Sequence, residues 1–198
     1  MPLDLLIALT VFACAMSFTP GPNNIMLAAS GVNFGFMHTI PHMLGVTIGF
    51  AVLLVGCAAG LGLVFAAVPD LHLVLKVGGA LYMLWLAFKV ATAHVAGDEG
   101  RGPARPFTFF QAAAFQWINP KAVVAALSAI TLYVRPGRFG TDFPVMLAIL
   151  SVFTVGAVTT WTGFGVALRR LMRNRAYARI FNVSMALLLV ASIVPMVT

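Results

Sequence analysis

Lys121 stands near the centre of an apolar run, 107–134, that holds no other charged residue. A lysine at the middle of a membrane helix costs about 2.5–3.5 kcal/mol on insertion scales, so such residues mark functional sites by default. Around it the chain reads "QWINPK", residues 116–121, with Asn119 directly before Pro120. A second stretch, "TPGPNN" at 19–24, supplies Pro20, Gly21, Pro22, Asn23 and Asn24 inside another apolar run, 5–37, that carries no charge or histidine. Proline lacks an amide hydrogen and its ring clashes with the carbonyl four residues back. Each stretch is therefore expected to break a helix and to free the carbonyls of Met16, Phe18 and Gln116. Beyond each break a half-helix begins, and asparagine before proline suits an N-cap followed by the first helical position. Its unpaired amides and positive dipole end favour an anion. Two such ends with Lys121 could hold a carboxylate, and the freed carbonyls an ammonium. The candidate binding residues are Pro20, Gly21, Pro22, Asn23, Asn24, Gln116, Asn119, Pro120 and Lys121. The plainer alternative is a pair of structural kinks, since proline is tolerated in membrane helices, with Lys121 snorkelling to the interface.

The elements that must position these residues follow from composition. The 198 residues are 61% hydrophobic and 9% charged, against roughly 25% charged in soluble domains. The apolar runs are long and continuous, with Met43–Val68 and Phe143–Leu168 each free of charge. Strands of a membrane barrel would instead alternate over about 10 residues. The expected fold is an all-α integral membrane protein. The net charge of +7 does not indicate nucleic acid, because Arg169, Arg170, Arg173, Arg175 and Arg179 crowd one short loop between spans, the usual cytoplasmic signature. The first 18 residues hold no Lys or Arg for a signal-peptide n-region, so the first span is expected to stay.

Six spans are predicted, near 5–30, 41–66, 71–93, 107–134, 143–168 and 179–197, with turns at Gly31–Gly35, Pro69-Asp70, 94–106, 135–142 and 169–175. The linker 94–106 divides a single transporter domain, 1–198, into halves 3–93 and 107–197. Lys89, Arg101, Arg105 and the five loop arginines lie on one side; Lys76, Arg135 and Arg138 lie on the other. The richer side is placed in the cytoplasm, which puts both termini outside. With three spans each, the halves must enter the membrane in opposite senses. Two asparagine–proline breaks at matching places, in the first and fourth helices, fit two three-helix inverted repeats.

Other residues carry weaker signals. His38 and His42 stand four apart and could carry a proton; an interfacial position without that role is the alternative. Cys14 and Cys57 could form a membrane thiol-redox pair, but neither belongs to a CxxC, and cysteine packs as a small hydrophobe. Gly45/Gly49 and Gly56/Gly60 allow close helix approach, within the subunit or at a dimer seam. Tyr82, Trp85, Trp117 and Trp161 could line a path or pack a core. There is no GxSxG, HExxH, CxxC or GxxxxGK[ST], so no enzyme is expected, and nothing asks for a cofactor or a metal.

"TPGPNN" in the first span, "GVTIGFAVLLVG" in the second, "GGALYMLWLAFKVA" in the third and "FQWINPK" in the fourth resemble the LysE/RhtB amino-acid exporters. The resemblance spans essentially the whole chain. It implies a six-helix exporter of the bacterial inner membrane, dimeric, moving amino acids outward at the expense of the proton gradient. Within the family, "ASGVNFGF" and "LGVTIGF" look most like the cysteine and O-acetylserine branch. Many relatives carry an aspartate in the second span after a glycine-spaced stretch; here Phe50 follows Gly45–Gly49.

The five acids, Asp4, Asp70, Asp98, Glu99 and Asp142, all fall in loops or at span ends. A cationic side chain at mid-membrane would find no counter-charge, at a cost of several kcal/mol. Small neutral amino acids (cysteine, O-acetylserine, threonine, homoserine) are therefore expected as substrates, with cationic ones disfavoured.

Overall fold

The computed structural model describes residues 1–61, 106–169 and 174–191, together with positions 77, 81, 84, 85, 87, 88, 91 and 171. The described residues form seven α-helices and no strand: α1 (Leu3–Phe18), α2 (Pro22–Phe34), α3 (Phe36–Gly56), α4 (Phe109–Ile118), α5 (Pro120–Tyr133), α6 (Phe139–Leu168) and α7 (Arg175–Ala191). A π-helical turn, Cys57–Leu61, continues α3.

Both expected breaks are present. α1 stops at Phe18 and Thr19 turns extended (φ −62°, ψ 143°), the conformation that a following proline imposes. Pro22 then opens α2, where its missing amide costs no helical bond. The two helices differ in direction by 51°. In the second break Asn119 is extended and Pro120 opens α5. The capping position before α2 belongs to Gly21 and not to an asparagine, so the asparagine–proline match between the breaks is looser than the sequence suggests. α4 starts on a capping box, with the Gln111 amide donating to Thr108 Oγ1 at 3.3 Å and the Thr108 amide to Gln111 Oε1 at 3.1 Å.

Two boundaries differ from expectation. The turn predicted at Gly31–Gly35 shrinks to Gly35, whose φ of 79° reverses the chain without a Cβ penalty. α3 therefore begins at Phe36 and takes Pro41 inside. The third span, 71–93, and the linker 94–106 fall almost wholly outside the described residues.

Phe36–Gly60 and Phe139–Leu168 are each long and apolar enough to cross a membrane, and the bent pair α1–α2 makes a third such unit. The flanks fit that reading, with Phe110 at 80% and Met37 at 74% exposure. Lipid supplies no hydrophobic drive between helices, so close packing by small residues must hold them. It does so in two parallel pairings. Along α6, Phe18 touches Gly156, Gly31 packs on Thr162, Ala28 on Gly165, and Gly35 lies beside Arg169. Along α3, Gly45 sits against Phe109 and Ala112, and Gly49 against Ala113. The Gly45/Gly49 stripe is thus spent inside the subunit.

At one end of α6 the fully buried Asp142 accepts from Arg135 Nε at 2.7 Å and Nη2 at 2.9 Å. The amino group of Met1 lies 3.9 Å from the same carboxylate. Met1 and Asp142 share one end of the bundle; Gly35 and Arg169 share the other.

Candidate functional site

The two breaks meet. Lys121, on the first turn of α5, donates from Nζ to the carbonyl of Thr19 and to its hydroxyl, both at 2.8 Å. A Cβ on Gly21 would stand 2.9 Å from Lys121 Cδ, so glycine is what lets the lysine stem lie across the first break. Asn23 and Gln116 exchange amide hydrogen bonds, Nδ2 to Oε1 at 2.8 Å and Nε2 to Oδ1 at 3.3 Å. Gln116, fully buried, also donates to the Ala112 carbonyl at 2.8 Å.

The carbonyls freed by the first break do not remain open to a ligand, contrary to expectation. Asn24 Nδ2 donates to Ser17 and Thr19 at 2.8 and 2.9 Å. Trp161 Nε1 donates to Phe18 at 3.3 Å, and the Thr19 hydroxyl reaches Met16 at 3.5 Å. Exposed carbonyls in a low-dielectric interior are costly, and nearby side-chain donors have taken them.

One acceptor is left over. Asn119 is 2% exposed and its Oδ1 has no hydrogen-bond partner among the described residues. An N-cap asparagine commonly turns this oxygen onto its own helix. Here its backbone carbonyl accepts from Ala122 and Val123 instead, at 3.0 and 3.1 Å, and the side chain makes no cap bond. The amides of Asn23, Asn24 and Lys121 precede the helical bonds of α2 and α5, so the helices leave them without partners.

Between the breaks lies a cavity of about 70 Å³, lined from them by Gly21, Pro22, Asn23, Asn24, Gln116, Asn119 and Lys121. At roughly 10–15 Å³ per water position, it has room for about five waters. Phe50 of α3, Ala125 of α5, and Leu150 and Thr154 of α6 close its other sides. Among the described residues, no carboxylate lines it. Phe50, where relatives were expected to carry an acid nearby, is an apolar wall. Thr154 gives no sequence signal, because a lone threonine in an apolar run resembles any other.

Not every expected residue reaches the cavity. Pro20 is exposed and Pro120 partly so, and both shape the breaks without lining the space. His38 is exposed, whereas His42 is 1% exposed and lies away from the lining. Cys14 and Cys57 are free thiols, one exposed on α1 and the other buried. Trp117 packs on the core around Leu9, and Trp161 anchors the first break. Tyr82 is outside the described residues.

The sequence profile of the family described as LysE type translocator matches residues 14–193. The cysteine/O-acetylserine efflux protein of Escherichia coli strain K12 is 32% identical over 190 residues, covering 94% of each chain. The protein of the same description from Salmonella typhimurium strain LT2 is 33% identical over 192 residues, again covering 94% of each. No solved structure matches.

Proposed function

Since the chain belongs to the LysE type translocator family, we propose that it exports small neutral amino acids, of the cysteine, O-acetylserine, threonine or homoserine kind, across the inner membrane of a bacterium. The observation that carries this reading is the cavity between the breaks. Among the described residues it is lined by Lys121, by Asn119, whose Oδ1 is a buried spare acceptor, and by no carboxylate. The substrate carboxylate meets Lys121 and the unpaired amides at the starts of α2 and α5. The substrate ammonium meets Asn119 Oδ1. No described residue of the lining offers a counter-charge to a second cation. The efflux relatives in Escherichia coli and Salmonella typhimurium support the same substrate class.

The architecture proposed is six spans in two inverted repeats. Its support is the pairing of helices: the broken first span runs parallel to α6, and the broken fourth span starts parallel to α3. Exchanging the halves turns one pairing into the other. The arginine-rich Gly35–Arg169 end is placed in the cytoplasm, and the Met1–Asp142 end with both termini outside. Net export needs an energy source, and the sequence carries no nucleotide-binding motif, so proton antiport is the proposed drive. Association as a homodimer rests on the family resemblance, with the Gly45/Gly49 stripe unavailable as its seam.

The test is overexpression in a bacterium challenged with each amino acid in turn, measuring intracellular pools and efflux. Lower pools and faster efflux of the neutral set are expected. Protection against lysine or arginine alone would overturn the substrate reading.

A further inference from the structure

A second polar cluster lies apart from the cavity, where α2, α3 and α6 meet. His42 of α3 is 1% exposed, and its Nδ1 lies 3.2 Å from Ser30 Oγ of α2. The ring of Phe107 stands 5.3 Å away, tilted by 30°. Nε2 of His42 has no hydrogen-bond partner among the described residues, and neither has Oγ1 of the fully buried Thr162 on α6. Gly31, next to Ser30, is pressed on the Thr162 carbonyl. None of these residues lines the cavity. A buried imidazole edge without a partner is costly, and packing alone does not call for one.

With its hydrogen on Nδ1, the ring donates to Ser30 and presents a bare lone pair at Nε2. A proton added there would create a charge in an apolar site. On α2 and α4, packed against α3, there is no charged or titratable side chain; α5, which also packs on α3, carries Lys121, held at the cavity by Thr19, and Tyr133, set against Phe12. α6 carries only Asp142 at its far end, held by Arg135. Arg169 lies just past the near end of α6, and His38, on α3 itself, is exposed. No described carboxylate faces Nε2. The packed arrangement therefore suits the neutral ring. A proton can be held only where α2 draws back from α3 or α6 and admits water to Nε2. Protonation then favours that opened conformation, because a ligand shifts an equilibrium toward the state that binds it better. α2 links the two places: its first turn borders the cavity, and Ser30 lies eight residues further along, about 12 Å at 1.5 Å per residue.

We propose that His42 is the proton-binding group of the transport cycle, with Ser30 as its positioning residue. It takes a proton from outside water at Nε2 while the helices are apart and releases it to the cytoplasm when they open on that side. The ring returns to its neutral form, with no other bond made or broken. The proposal rests on the proton-driven export reading.

The experiment uses the full chain in proteoliposomes with radiolabelled cysteine kept reduced. It compares accumulation driven by an imposed proton gradient with counterflow exchange, which needs no net proton movement. For His42→Gln we expect gradient-driven accumulation to fall to the counterflow level, with exchange retained and its pH profile flattened. For Ser30→Ala we expect accumulation to persist with a displaced pH profile. A wild-type protein inert toward all neutral amino acids sinks the export reading. One that exchanges but ignores the gradient sinks proton coupling, and this proposal with it. A gradient-driven wild type whose His42→Gln form accumulates equally, with the same pH profile, overturns the assignment alone. Where His42→Gln loses exchange too, an unshifted profile in Ser30→Ala overturns it.

Discussion

Lys121 Nζ lies 2.8 Å from both oxygens of Thr19, 102 positions away in the chain. The lysine of the second break is thereby tied to the carbonyl and the hydroxyl of Thr19 in the first. A charge-assisted hydrogen bond contributes about 1.5–3 kcal/mol, enough to hold the ammonium at the cavity edge without a carboxylate. Lys121→Met is predicted to cut export of cysteine at least about tenfold, the equivalent of 1.4 kcal/mol, with the protein still inserted. Lys121→Arg is predicted to fail as well, because a planar guanidinium is not a point charge and the stem already lies close over Gly21. Efflux of labelled cysteine, normalised to membrane protein by immunoblot, measures both. Full export by Lys121→Met would return the lysine to a structural role.

The amide pair Asn23–Gln116 is a second tie between the breaks. Removing one partner leaves the other's polar atoms buried, whereas removing both removes the debt. Asn23→Ala and Gln116→Ala are each predicted to lower the melting temperature in detergent, and the double variant to fall short of their sum by about 1 kcal/mol of coupling. Strictly additive losses would mean that the two amides do not hold each other.

Much of this was legible in the sequence, for physical reasons. Proline leaves no choice about where a helix loses its bonds, so Pro20, Pro22 and Pro120 announced both breaks. Lys121, alone in an apolar run, stood out by its cost, and it lies at the cavity between the breaks. The partners were not legible. Which donors would take the carbonyls of Ser17 and Phe18 depends on Asn24 and Trp161 arriving from particular directions, and only the packing of α2 on α6 decides that. The same packing turned Gly31 from an expected turn residue into a helix contact, because Gly35 alone suffices to reverse the chain. His38 and His42 share one face of α3, four residues apart, yet His38 lies exposed near the helix start and His42 is buried one turn further on, beside Ser30; which turn the neighbouring helices cover is not written in that spacing.

That contact between α2 and α6 gives a third prediction. A methyl at Gly31 would run into the Thr162 carbonyl, and one at Gly165 into the Ala28 carbonyl. Backbone atoms cannot swing aside as a side chain can, and overpacking costs about 1–3 kcal/mol. Gly31→Ala and Gly165→Ala are predicted to lose thermal stability and folded yield. Gly163→Ala, where nothing lies within 4 Å of the added carbon, should be neutral or slightly stabilising, as alanine is the better helix former by about 1 kcal/mol. Size-exclusion profiles and melting curves of the three purified variants separate these outcomes. Equal behaviour at all three positions would show that the α2–α6 contact is looser than described.

The last prediction concerns the spare oxygen of Asn119. If Oδ1 receives the substrate ammonium, then exchanging the amide for a carboxylate should change which cations are accepted. Asn119→Asp is close to isosteric, and asparagine and aspartate are equally good N-caps, so α5 should still start at Pro120. A negative charge at that helix end is itself favourable. The new carboxylate supplies a counter-charge that no described lining residue offers, lowering the cost of admitting a lysine or ornithine side chain. It also competes with the substrate carboxylate for Lys121, so export of neutral amino acids should weaken. The ratio of lysine to cysteine export is predicted to rise by about tenfold or more, 1.4 kcal/mol per decade, measured by efflux from cells loaded with both labelled amino acids. Asn119→Ala, lacking any acceptor, should weaken neutral export without raising lysine. A functional Asn119→Asp exporter with the wild-type ratio would show that the ammonium is held elsewhere.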